Sequence, residues 1–139
     1  MDKAAIIRKL ESAFSYLTVD IPQEVKIDDK IIKLKKEMEE IMKTAENGDL
    51  GKAIRGVVEL ETDLGKIVND FKGKVRGSEI DLTVAEAQLG YYLGIRRAIA
   101  ILSSISDESL KRFTEKDEKK RIAEDRKRWY DYLKHLDEG

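Results

Sequence analysis

The sequence predicts an all-α, or mostly α, fold: a single helical bundle built around a central antiparallel helical hairpin. Apolar residues recur every three to four positions over long stretches, which is the helical period. One proline stands against nine glycines, and aromatics make up only 6%, so helix breakers are few and the core is aliphatic. At 139 residues the chain makes one domain, 1–139, able to bury roughly two-thirds of its unfolded surface without disulfide or metal staples.

Taken in order, Asp2 to Leu17 places Ile6, Ile7, Leu10, Ala13, Phe14 and Leu17 on one stripe, with Asp2 as its cap and Pro22 as the next strong breaker. Residues 25–34 carry two readings. As a short β-hairpin centred on Asp29-Lys30, Val25 faces Leu34 and Ile27 faces Ile32, all four on one sheet face. As a helix from about Asp28, the spacing of Ile31, Leu34, Met38, Ile41 and Ala45 runs on into a clear helix that ends at Asn47-Gly48. Periodicity slightly favours the helix. Asp49 then caps a long helix to about Arg76, whose positions Leu50, Ile54, Val57, Glu61, Leu64, Val68, Phe71 and Val75 are apolar but for Glu61. Thr83 with Glu86 has capping-box spacing and opens a helix to about Ile105. That helix is apolar around much of its circumference and so belongs in the middle of the bundle. Ser106-Asp107-Glu108 starts a final charged segment, 107–139, with Thr114 and Asp117 as a second cap. There 20 of 33 residues are charged, ten of each sign. The segment either packs on the body or projects from it.

Composition narrows the function classes. Charged residues reach 40%, against about 25% in an average protein, but 27 Lys+Arg nearly cancel 28 Asp+Glu, which argues against nucleic-acid binding by bulk charge. No Cys and one His exclude a cysteine nucleophile, thiolate metal ligation and His-rich zinc sites. No apolar run approaches 18 residues and Met1–Lys9 lacks a signal-peptide layout, so a soluble, cytoplasmic protein that binds no membrane is expected. Amides are scarce (Gln23, Asn47, Asn69 and Gln88) while Lys and Glu abound, the bias of a thermophilic, archaeal protein.

A hairpin of Leu50–Arg76 and Thr83–Ile105 can be registered by its glycines. If Gly65 meets Gly94 and Gly56 meets Ser103, then Leu64 meets Ile95, Val68 meets Tyr91, and close backbone approach offsets the cost of about 1 kcal/mol for each mid-helix glycine. The same register brings Glu61 to Arg96 or Arg97, and an ion pair is expected because a lone charge on an apolar stripe is costly. The alternative turns Glu61 to water and packs Leu60.

Glu37 and Glu40 stand i,i+3 on one helix, and Glu59 and Asp63 stand i,i+4 on the next, a pattern of hard oxygen ligands suited to Mg²⁺. It loosely resembles the all-helical nucleotide pyrophosphohydrolases related to MazG. Their second motif has acids at i,i+3, whereas Leu60 stands three before Asp63 here, so metal ligation is a remote alternative and exposed helical ion-pair residues are the plainer account. Lys119, Lys120, Arg121, Arg126, Lys127, Arg128, Trp129 and Tyr130 could contact phosphates and stack bases. Glu115, Asp117, Glu118, Glu124, Asp125 and Asp131 interleave with them, so these residues fit packing or a partner interface better than bases. His135 is read as a favourable charge near a helix C-terminus. Gly90 and Gly94 in GxxxG spacing suggest close helix packing, and no phosphate-cradling loop or dinucleotide fingerprint occurs, so no cofactor is expected.

Ile21-Pro22-Gln23-Glu24-Val25-Lys26-Ile27-Asp28-Asp29-Lys30 resembles a segment of an uncharacterised archaeal family of unknown function, and Leu82–Leu102 is similar to that family's penultimate helix. The resemblance covers about a third of the chain and implies a hairpin turn in the first stretch, a helical fold and an archaeal source, with no chemistry to carry over. The function expected is a non-enzymatic interaction or scaffold module with a protein partner or a second copy. Nucleic-acid association through the C-terminal helix is the alternative, and Mg-dependent nucleotide pyrophosphohydrolysis the remote one.

Overall fold

The computed structural model describes residues 1–138. In chain order it comprises α1 (Lys3–Glu11), α2 (Ala13–Tyr16), β1 (Glu24–Ile27), β2 (Lys30–Lys33), α3 (Leu34–Glu46), α4 (Leu50–Arg76) and α5 (Leu82–Glu138). The fold is mostly α, with one small antiparallel hairpin. Asp2 caps α1 as its position suggests, accepting from the Ala5 N–H at 2.7 Å. The stripe expected to continue to Leu17 breaks at Ser12, whose backbone is extended, and Phe14 and Leu17 are left exposed.

Residues 24–33 settle as strands. The turn is Asp28-Asp29, one residue earlier than expected, with Asp28 at φ +53°, a left-handed conformation that aspartate tolerates. Val25 therefore pairs with Ile32 and Ile27 with Lys30, a register two residues from the one anticipated. A two-residue shift preserves the faces because the strand period is two. Val25, Ile32 and Leu34 consequently lie in the main core with α3, α4 and α5. That packing supplies what an isolated hairpin lacks. Ile31, the first member of the competing helical stripe, points outward. At the other end of α3, Gly48 at φ +86° closes the helix: its N–H bonds the Ala45 carbonyl and the Asp49 N–H bonds the Thr44 carbonyl.

α4 and α5 fold back on each other. Their interface forms two joined cores, one around Val57, Leu64, Val68, Ile95 and Leu102, the other around Phe71, Val75, Leu89 and Leu93 with α1. From Tyr92 to Ser103 no residue is exposed, so this stretch of α5 is central. Phe71 stacks on Tyr92 at 3.8 Å between ring centroids and Ser103 bonds Glu61, a register about one helical turn from the glycine-based one. The glycines do not meet. A Cβ on Gly65 would find nothing within 4 Å, whereas one on Gly94 would collide with the Asp20 carbonyl and sit 2.9 Å from Pro22. Gly56 lies against Ile41 of α3, not Ser103.

α5 starts one residue before Thr83 and is capped by Asp81, which accepts from the Thr83 N–H at 2.7 Å. It then passes unbroken through Ser106-Asp107-Glu108 and Thr114, where a new helix had been expected. Between Gly94 and Gly139 there is no glycine or proline to stop it. The next turn is also tied down: Ser109 is buried, and Arg112 donates to the Ala45 carbonyl at the end of α3 at 3.1 Å.

The ring packing has a pH consequence. Burial pushes the phenols of Tyr91 and Tyr92 up, with the Tyr91 charge adding to the effect on Tyr92. A group whose folded pKa is raised contributes stability that is complete below its unfolded value and is lost as pH rises through the folded one. The contribution of these two phenols is expected to hold to about pH 10 and to be lost above it in denaturant titrations. Tyr92→Phe should reduce that loss.

Candidate interaction surface

α5 leaves the body after Lys116, whose ammonium reaches the neighbourhood of Gly48. Residues 117–138 continue as a helix roughly 30 Å long. From Lys111 to Leu136 only Arg112 is not exposed, and that includes the apolar Phe113, Ile122, Trp129, Tyr130, Tyr132, Leu133 and Leu136. Of the charged segment, the turn with Ser109 and Arg112 packs on the body, and the part beyond Lys116 projects.

At 100° per residue the projecting helix resolves into ridges. Ile122, Trp129 and Leu136 are seven apart, and Tyr132 and Leu133 fill the turn between the last two, so the apolar stripe is continuous from Trp129 to Leu136, while Asp125 and Arg126 occupy the corresponding turn after Ile122. Trp129 is 66% exposed and Leu133 54%, and the Trp129 and Tyr132 rings meet edge to face at 6.0 Å. Arg121 and Arg128 run along one edge of the stripe, Lys119 and Arg126 along the other. Lys120 and Lys127 lie toward the back, separated from the Arg121–Arg128 ridge by a line of Asp117, Glu124 and Asp131. Arg121 pairs with Asp117 at 3.1 Å. The basic residues that the nucleic-acid alternative needs on one face are thus split among three ridges, with acidic residues interleaved as the sequence indicates. Tyr130 lies about 100° round the helix from Trp129, on the flank beyond the Lys119–Arg126 edge of the stripe. His135 sits in the last turn of α5. Sequence reasoning did not single out Tyr132, although the seven-residue spacing of Ile122, Trp129 and Leu136 pointed to its face.

Glu61 forms no ion pair with Arg96 or Arg97. It accepts from the Ser103 hydroxyl at 2.7 Å, while Leu60 is buried beside it. The arginines hold the N-terminal segment instead: Arg96 donates to the Leu10 carbonyl of α1 at 3.0 Å and lies over the Tyr16 ring of α2, and Arg97 donates to the Val19 carbonyl in the following loop at 2.8 Å. A helical turn of shift in register accounts for the difference.

The four carboxylates read as a remote metal set do come together. Glu37 and Glu40 of α3 and Glu59 and Asp63 of α4 line one cleft of about 610 Å³ beside β2. Its floor includes Ile32, Ile41, Ala53 and Leu60, and Gly56 leaves it open; Lys30, Lys52 and Arg55 also reach it. Among the described residues, no ion pair joins these acids to these cations, and no three His, Cys, Asp or Glu side chains are placed to hold one metal ion. Among the described residues, no helix is long and apolar enough to cross a membrane.

A family model described as a family of unknown function (DUF5788) matches residues 1–134, and the chain belongs to that family. No curated protein and no solved structure matches it.

Proposed function

We propose that this family member is a non-enzymatic interaction module that presents the projecting part of α5 as a docking helix to a protein partner. The observation that carries this is the exposed stripe of Trp129, Tyr132, Leu133 and Leu136. These residues stand at i, i+3, i+4 and i+7, the anchor spacing of a helix laid into an apolar groove. Aromatic residues and arginine are also the side chains over-represented at binding hot spots. The division of Lys119, Lys120, Arg126, Lys127 and Arg128 among separate ridges speaks for protein over nucleic acid, which favours a continuous basic track. A cytoplasmic, thermophilic and archaeal setting is part of the same proposal, on the grounds of the amide-poor, Cys-free, charge-rich composition.

The test places a photo-crosslinking residue at Tyr132 in the intact chain in cells. Discrete protein adducts are expected, and they should vanish with Trp129→Ala plus Leu133→Ala while the melting temperature stays within about 2 °C, because exposed side chains contribute little to folding. Adducts to nucleic acid alone, or protein adducts indifferent to the double substitution, would overturn the reading.

A further inference from the structure

From the two surfaces together we infer that the docking helix of one chain seats in the acidic cleft between α3 and α4 of a second copy; this rests on the docking-helix reading above. The stripe presents four adjacent apolar anchors from Trp129 to Leu136, and along the same face the basic Arg121, Arg128, Lys119 and Arg126 outnumber the acidic Glu118 and Asp125. The cleft offers the complement: an apolar floor with Ile32, Ile41 and Leu60 beneath four carboxylates that, among the described residues, no cation of the same chain pairs with. Its 610 Å³ is within the range of cavities that enclose large side chains or ligands. Lys30, Lys52 and Arg55 offset part of the acidic charge, and the four carboxylates still outnumber them. The roughly 30 Å of helix beyond Lys116 keeps the two bodies from colliding.

Pairing of two stripes with each other is disfavoured by charge. Side by side antiparallel about Trp129, each Arg128 would lie near the second copy's Arg128; parallel, Arg121 would approach the second copy's Arg126. Like charges at those positions oppose association. Helix-to-cleft contact is heterologous, so it produces either a reciprocal pair or a growing chain.

The experiment is sedimentation velocity of the full chain over a concentration series at low and high salt, with two variants. One removes the anchors (Trp129→Ala with Leu133→Ala); the other reverses two exposed carboxylates of the cleft (Glu40→Lys with Glu59→Lys). Wild type is expected to associate more weakly as salt rises. Each variant alone should associate at least about tenfold more weakly, as expected when anchors or complementary charges are lost. An equimolar mixture should recover association, because one variant keeps its cleft and the other its helix. A wild type monomeric throughout, association untouched by the cleft variant, or a mixture that stays monomeric would each overturn the inference. Crosslinks from Tyr132 to a different protein alongside a monomeric wild type would leave the docking helix standing and remove only the second copy.

Discussion

Phe71→Ala is expected to destabilise the chain by about 3–5 kcal/mol, as for other buried phenylalanines cut back to alanine. The ring is 2% exposed and belongs to the core that α1 shares with α4 and α5. It also stacks nearly parallel on Tyr92, which packs against both cores. Truncation therefore removes buried apolar area, leaves a cavity and strips Tyr92 of its partner at the seam. Domains of this size carry a total of about 5–15 kcal/mol. The urea midpoint should fall by about a fifth or more, and the core shared with α1 should lose hydrogen-exchange protection first. Phe113→Ala is the control: its ring is half exposed on α5 beyond the core, and its effect should stay below about 0.5 kcal/mol. If the two substitutions proved equal, the division between bundle and projecting helix would be wrong.

What could be read from the sequence follows from which signals are local. The bounds of α4, the Asp2 cap and the glycine closing α3 depend on side chains reaching their own backbone or on a period of 3.6, and each is found where the pattern places it. The hairpin at 24–33 was harder because Ile31, Leu34 and Met38 satisfy a helical period too. What decides between the readings is a surface of α3, α4 and α5 for Val25 and Ile32 to cover, which no local pattern reports. The continuity of α5 was missed for the same reason. Ser106-Asp107-Glu108 has the chemistry of a helix start, but a cap is used only where the backbone leaves the helix, and Ser109 and Arg112 hold it in place against the body.

The acidic cleft was legible as four residues and not as a place. Spacings along two helices put Glu37 with Glu40 and Glu59 with Asp63; only the packing of α3 on α4 makes them line one cavity. Glu61 shows the reverse case. Its position on the apolar stripe correctly signalled a need for a polar partner, but the partner is set by helix register, and one turn of shift exchanges an arginine for Ser103. The exposed stripe of the C-terminal helix was read as packing or a partner interface, since spacing identifies an apolar face without saying what covers it.

Two glycines that looked equivalent should respond with opposite signs. Gly94→Ala is expected to cost about 1–3 kcal/mol, the range for inserting a methyl group into a filled core. Its Cβ would point at the Asp20 carbonyl and Pro22, backbone and a ring that cannot swing aside as a flexible side chain does. The loop that carries Asp20 is itself pinned, because Arg97 holds the neighbouring Val19 carbonyl at 2.8 Å. Displacing the loop would thus strain a second contact, and the cost should sit toward the upper end. Gly65→Ala meets open space in mid-helix, where replacing glycine relieves backbone entropy, and should stabilise by about 0.5–1 kcal/mol. Were the two glycines nested on each other at the crossing of α4 and α5, both substitutions would destabilise. Chemical denaturation of the two single variants separates these cases by the sign of one midpoint shift.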